Sequence, residues 1–197
     1  PATEGEVAWT GNTRCAARLR ACSGATKHRV VLNGGCYAIT GGLGGLGLRA
    51  ATLLIESGAS RVLLASRSGL VVRDGQGLAQ QLHQLGAGAR VLASDSSDAG
   101  DSGMSVKFDG NPVTGFLHAA GMAEPDKLED LQRHRLHRVF APKASGVWCL
   151  NHSTVTCALE ARILYSSVGA GIGNRGQGSY AAANGMLDAK SLSLRRN

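Results

Sequence analysis

Lys143, Ser167, Tyr180 and Asn184 are the residues whose types and spacing could carry a reaction. A phenol, with an ordinary pKa of about 10, is a poor proton donor near neutrality. A nearby ammonium favours the phenolate and brings proton donation into the working range. Lys143 would supply that ammonium. Ser167 would hydrogen-bond a carbonyl oxygen and, with Tyr180, stabilise the negative charge that grows there during reduction. Asn184 lies one helical turn beyond Tyr180, hence on the same side, and would fix the phenol and a water chain that restores its proton. Taken singly, each has a plainer reading: a capping aromatic, a surface charge, a turn former and a helix-surface amide.

A reduction needs a hydride source, and one stretch is built for a nucleotide. A short apolar run ends at Thr40, glycines follow at 41, 42, 44, 45 and 47, and 46–58 then carries apolar residues at 46, 50, 53, 54 and 55. That order reads strand, glycine-rich turn, helix. The glycines clear side chains from the path of a pyrophosphate, and the helix N-terminus offers partial positive charge. Two templates fit, Gly42-x-Gly44-x-x-Gly47 and Thr40-Gly41-x-x-x-Gly45-x-Gly47; glycine turns also serve ordinary strand-to-helix corners. About 20 residues beyond such a loop, an NAD site offers a carboxylate to the ribose. Here Ser66-Arg67 stands there instead. A guanidinium suits a 2′-phosphate, which favours NADPH; otherwise Arg67 is a solvated loop charge.

The elements that must position these groups alternate. After the first strand and helix come a strand over 61–67, a helix over 74–86 with Leu78, Leu82 and Leu85 on one face, and a strand over 90–95. The Ser-, Asp- and Gly-rich segment 96–111 predicts a short or irregular helix. A strand over 113–118 follows, then a long helical region over 129–152, with Leu131, Leu136, Val139, Phe140, Val147, Trp148 and Leu150 as its apolar residues, and Pro142 predicts a kink or two helices there. A strand over 161–166 and, after a Gly-rich loop, a helix over 180–195 complete the chain. This alternation predicts an α/β fold, a doubly wound parallel sheet of Rossmann type, with ligands beyond the carboxyl ends of the strands. The glycine loop, Ser66-Arg67, Asp95, Ala119 to Gly121 and Ser166-Ser167 all fall at such ends. The expected cofactor contacts are therefore Thr40, Gly41, Gly44, Gly45, Leu46, Ser66, Arg67, Asp95, Ser96, Ala119, Ala120 and Gly121.

Composition narrows the classes further. The chain has 197 residues, 43% of them apolar, enough for one domain with a sizeable core. No apolar run approaches the ~20 residues of a membrane-spanning helix, and no signal-peptide core opens the chain, so a cytoplasmic protein with no membrane partner is expected. The five cysteines contain no Cys-x-x-Cys pair, which favours reduced thiols. Cys149 and Cys157 flank His152 without a second ligand pair, so no metal is expected. The net charge of +7 rests on scattered basic residues, and 4% aromatics are too few for base stacking, so nucleic acid is not the expected partner. A phosphate-bearing cofactor or an acidic protein partner accounts for the charge, as does an evenly solvated basic surface. Residues 1–35 differ from the rest. A short strand at 6–9 and a turn at 10–12 precede a basic passage, Arg14, Arg18, Arg20, Lys27, His28 and Arg29, which reads as a linker with an edge strand.

These residues resemble the ketoreductase domains of modular polyketide synthases, within the short-chain dehydrogenase/reductase superfamily. The resemblance rests on Ile39-Thr40-Gly41-Gly42-Leu43-Gly44-Gly45-Leu46-Gly47, Ala65-Ser66-Arg67, His118-Ala119-Ala120-Gly121, Ala141-Pro142-Lys143, Ser166-Ser167-Val168 and the run from Gly176 through Tyr180 to Asn184. Most of the superfamily places its lysine four residues after the tyrosine; asparagine there, with the lysine on the earlier helix, resembles these synthase domains. The resemblance implies NADPH-dependent reduction of a β-ketoacyl chain on the phosphopantetheine arm of an acyl carrier protein, beside neighbouring synthase domains. A fatty acid synthase ketoreductase, an inactive NADP(H)-binding scaffold and an NADP(H) sensor are the alternatives. It also implies that residues 1–35 join a preceding structural subdomain, and that 36–197 form the reductase domain without its last strand and lid. Two markers depart from the family: Ala123-Glu124-Pro125 replaces a Leu-Asp-Asp, and Ile172 stands where the opposite stereochemical class has tryptophan.

Overall fold

The structure, a computed structural model, describes residues 7–16, 21, 31–72, 76–109 and 111–195. An antiparallel hairpin, β1 (Ala8–Thr10) and β2 (Thr13–Cys15), comes first. The chain then alternates β3 (Cys36–Thr40), α1 (Gly45–Glu56), β4 (Arg61–Ser66), α2 (Leu78–Leu85), β5 (Ala89–Ala93) and α3 (Ala99–Ser105). A two-stranded ribbon, β6 (Lys107–Phe108) and β7 (Asn111–Pro112), leads to β8 (Gly115–His118). Helices α4 (Arg133–Phe140) and α5 (Gly146–Ser153) flank a π-helical turn, Ala141–Ser145, and precede β9 (Ala161–Leu164), α6 (Gly169–Ile172) and α7 (Gly178–Leu194).

Five strands form one parallel sheet in the order β5-β4-β3-β8-β9. This is the doubly wound, Rossmann-like architecture expected from the alternation. The order reverses between β3 and β8, where Thr40 pairs with His118, and a crevice opens at such a switch point. Both faces of the sheet are covered, which is why β3, β4 and β8 read as continuous apolar runs. Tyr37, Ile39, Val62, Leu64 and Leu117 pack on one face with Leu48 and Ala51 of α1 and Leu78 of α2. Ala38, Leu63 and Phe116 point the other way, against Val106, Val113 and Leu150. Among the described residues no helix is long and apolar enough to cross a membrane.

Several expectations need correction. The buried face of α1 is Gly47, Leu48, Ala50 and Ala51, whereas Leu46 and Leu53 are more than 60% exposed. Small residues bring α1 close to the sheet, so the bulkier leucines turn outward. Trp148 is likewise exposed; it lies under Lys190, whose Nζ is 5.4 Å from the ring centroid. The long helical region is two helices, α4 and α5, one of the two outcomes expected from its proline. Pro142 lacks an N–H and its ring would clash in a regular helix, and the backbone widens into a π turn there. The expected edge strand near residue 8 forms only the isolated β1–β2 hairpin and joins no other strand among the described residues. Of the basic passage, Arg18, Arg20, Lys27, His28 and Arg29 lie outside the described residues, as do positions 74 and 75 of the expected second helix.

Candidate active site

The turn after β3 shows why its glycines are needed. Gly41 has φ +68°, and a Cβ there would sit 2.7 Å from Ala120 N. A Cβ on Gly47 would meet Gly41 O at 2.5 Å. The turn therefore lies directly on the 119–121 loop and on the first turn of α1. Gly44 caps α1 with no side-chain hydrogen bond and no acidic residue in the first turn, which leaves the first N–H groups of the helix without a capping side chain. Helix N-termini of this kind take anions.

A cleft of about 780 Å³ runs from that turn along the carboxyl ends of β3, β4, β5 and β8. All twelve expected cofactor contacts line it, from Thr40 and the glycine turn through Ser66, Arg67, Asp95 and Ser96 to Ala119, Ala120 and Gly121. Arg67 is exposed at its edge. Ser66 Oγ is buried without a hydrogen-bond partner, so the cleft holds an unused polar group. The shape, the free helix N-terminus and that orphaned hydroxyl fit a dinucleotide. Part of Asp95 is already engaged: its carboxylate accepts from Ser97 N at 2.9 Å and Ser97 Oγ at 2.7 Å.

Lys143 sits on the π turn, only 4% exposed, and joins three elements. Its Nζ donates to the carbonyl of Tyr165, beyond β9, at 3.0 Å. It lies 5.8 Å from the ring centroid of Tyr180 on α7. A Cβ on Gly121 would fall 3.1 Å from the same nitrogen. Burial lowers the Lys143 pKa from its ordinary 10.5, and the carboxylate of Asp188 opposes that fall. One ammonium proton is spent on Tyr165, which leaves two for other acceptors.

Asn184 is fully buried on α7, and its Nδ2 donates to Tyr180 O at 2.8 Å, while its Oδ1 has no partner. Ser166 Oγ donates to Asn184 O at 3.3 Å and pins the loop after β9 against α7. Ser167 follows in that loop, three residues past the end of β9 rather than at its end, and its Oγ accepts from Gly169 N at 3.2 Å. The structure thus brings Lys143 to Tyr180 and anchors the Ser167 loop to the helix bearing Tyr180 and Asn184.

Three participants were not singled out from the sequence. His118 bridges Thr40 and Lys143, the Tyr165 carbonyl holds Lys143, and Asp188 balances its charge. A lone histidine closing an apolar strand was a signal for the first. Asp188, four residues after Asn184 on the same helix face, was a signal for the last. A backbone carbonyl leaves no trace in residue type.

The family described as KR domain matches residues 35–197. The chain belongs to the KR domain family. This places it among the ketoreductases, in the oxidoreductase class. The KR chain is 36% identical over 188 residues to a phenolphthiocerol/phthiocerol polyketide synthase of Mycobacterium tuberculosis, covering 93% of this chain and 10% of that protein. It is 35% identical to a 6-methylsalicylic acid synthase of Arthrobotrys oligospora, covering 97% of this chain and 12% of that one. Among solved structures, an A-type ketoreductase from a modular polyketide synthase superposes with a TM-score of 0.80 at 32% identity, covering 96% of this chain and 43% of that chain. The KR chain thus spans about a tenth of the length of these curated relatives.

Proposed function

We propose that this chain is the part of a polyketide synthase that reduces a β-ketoacyl thioester to the β-hydroxyacyl thioester, using NADPH. The observation that carries the reading is the position of Lys143, buried between the Tyr165 carbonyl and the Tyr180 ring beside a dinucleotide-sized cleft. Residues 36–197 would form the NADP(H)-binding unit, with 1–35 as the linker to a preceding subdomain. The glycine turn and the N-terminus of α1 would hold the pyrophosphate, Arg67 the 2′-phosphate, and Asp95, Ser96 and the 119–121 loop the rest of the nucleotide. Bound NADPH supplies the hydride.

Tyr180 donates its phenolic proton to the substrate oxygen, so that oxygen leaves as a hydroxyl rather than an alkoxide. Lys143 stabilises the phenolate left on Tyr180 and has a further proton for a ribose hydroxyl. Ser167 hydrogen-bonds the same substrate oxygen while negative charge grows on it. Asn184 fixes the first turn of α7 through Tyr180 O, and its buried, unpartnered Oδ1 suits a water that returns the proton from solvent. The substrate arrives on the phosphopantetheine arm of an acyl carrier protein, beside neighbouring synthase domains.

Following NADPH absorbance with a β-ketoacyl thioester tests this. Consumption is expected, and Tyr180→Phe abolishes it while NADPH still binds. Tight NADPH binding with no turnover in the native polypeptide would make the chain a sensor or scaffold instead.

A further inference from the structure

The segment after Gly121 departs from the family marker, and it carries a device of its own. Three of its residues, Glu124, Pro125 and Asp126, are gripped by one guanidinium from α4. Arg135 Nε donates to Glu124 Oε1 at 3.0 Å, Nη2 donates to Pro125 O at 3.2 Å, and Nη1 pairs with Asp126 Oδ1 at 3.0 Å. Arg138 Nη1 approaches Glu124 Oε2 at 3.7 Å, an ion-pair distance too long for a hydrogen bond. The group is well removed from water: the Asp126 side chain is 6% exposed, Glu124 20% and Arg135 31%. A planar fork that satisfies three acceptors at once holds a backbone far more rigidly than a surface ion pair.

The gripped segment reaches the helix that bears Tyr180. Asp126 N donates to Gly176 O at 2.7 Å. Gly176, with φ +73°, belongs to a turn closed by Gln177 N donating to Asn174 O at 3.0 Å and Asn174 Nδ2 donating to Gln177 Oε1 at 3.1 Å. Gln177 caps α7, and Tyr180 is the third residue of that helix. At its other end the segment begins at Gly121, against Lys143 Nζ. One short stretch of chain therefore connects the lysine to the start of the tyrosine helix, and Arg135 sets its shape.

We infer that Arg135 is a positioning residue: by clasping Glu124 and Asp126 it fixes the turn before α7 and so the placement of Tyr180 relative to Lys143. This rests on the reading of Tyr180 as proton donor. Removing the guanidinium takes the Arg135 cation from both Glu124 and Asp126 and leaves Glu124 with the longer Arg138 contact, and the 124–126 segment relaxes away from α4. Misplacing a reacting group by about an ångström costs up to about 100-fold in rate.

The test uses the native polypeptide carrying Arg135→Met, Arg135→Lys or Glu124→Gln, with fluorotyrosine incorporated and the Tyr180 resonance assigned by Tyr180→Phe. Arg135→Met is expected to lower kcat about 10- to 100-fold with the KM for NADPH unchanged, and to move the Tyr180 fluorine signal while that of Tyr37 stays. Arg135→Lys, which keeps charge but loses the fork, recovers part of both, and Glu124→Gln falls between it and the wild type. A folded Arg135→Met with unchanged kcat and an unmoved Tyr180 signal overturns the inference. Should that variant fail to fold, Arg135→Lys decides by the same two readouts. A wild type that binds NADPH but reduces nothing, with a Tyr180 signal still displaced in Arg135→Met, would end the proposed function and leave the positioning role standing.

Discussion

Thr40 Oγ1 and His118 Nδ1 lie 2.6 Å apart at the carboxyl ends of the two strands that flank the switch point. On the other side of the ring, His118 Nε2 is 3.2 Å from the Lys143 carbonyl. A carbonyl only accepts, so Nε2 carries the hydrogen, and Nδ1 accepts from the Thr40 hydroxyl. The neutral imidazole thus ties the strand before the glycine turn to the turn that carries Lys143.

That arrangement sets a pH dependence. Burial pushes the His118 pKa down from 6.5 to about 4, against the hydrogen bond to the Lys143 carbonyl, with the Lys143 charge adding to the fall and the Pro142 carbonyl opposing it. The unfolded chain binds the proton more readily, so the contribution of His118 to stability is complete above about pH 6.5 and is lost as pH falls towards 4. Its size is about 3 kcal/mol. His118→Asn should therefore be less stable than wild type at pH 7, by urea unfolding, with the gap narrowing at pH 5. A gap of constant size across that window would show that the buried ring is not held neutral.

Gly121 tests the hub from the other side. A Cβ there would lie 2.8 Å from Lys143 Cε, the flexible end of a side chain rather than backbone. Gly121→Ala should leave thermal stability nearly unchanged while displacing the ammonium from Tyr165 O and Tyr180. The expected loss in kcat is about 10-fold. Full activity in this variant would mean that the position of Lys143 is not tightly required.

Under the proposed function, Arg67 distinguishes the two nicotinamide cofactors. It is exposed at the cleft edge, where a carboxylate would serve NAD. A charge-assisted hydrogen bond to phosphate contributes about 1.5–3 kcal/mol, or roughly 10- to 100-fold in affinity. Arg67→Ala should weaken NADPH by about that factor and NADH hardly at all, read by titrating nucleotide fluorescence. Equal losses for both would remove the 2′-phosphate from the vicinity of Arg67.

How much of this was legible in the residues follows from the range of the interactions. Strands buried on both faces must be apolar throughout, and their ends are marked by small and polar residues, so the sheet and the twelve residues around the cleft could be read directly. The facing of α1 could not. Leu46 and Leu53 look like core by type, yet Gly47, Ala50 and Ala51 allow a closer approach that turns them outward. The ribbon β6–β7 and the short α6 depend on local turns in Gly-, Ser- and Asp-rich chain, where pattern is weakest. The clasp of Arg135 on Glu124 and Asp126 needs the register of a loop against a helix, and charges of either sign on a surface predict no particular pair.

The glycine turn allows a separation of stability from binding. A Cβ on Gly47 would stand 2.5 Å from Gly41 O and 2.6 Å from Gly42 Cα, both backbone, so Gly47→Ala must open the turn. It should cost about 1–3 kcal/mol in unfolding free energy and abolish NADPH binding together. Gly45 differs: its nearest neighbours would be Gln76 Oε1 at 3.7 Å and Leu78 Cδ2 at 4.0 Å, ordinary contacts. As the first residue of α1 it gains helix propensity on becoming alanine, up to about 1 kcal/mol. Gly45→Ala should therefore melt at or above the wild-type temperature. It should nevertheless bind NADPH more weakly, because the new methyl stands where a pyrophosphate approaches the free N–H groups. A Gly45→Ala protein with undiminished NADPH affinity would place the phosphates away from the N-terminus of α1, and the cofactor assignment along the cleft would have to be redrawn.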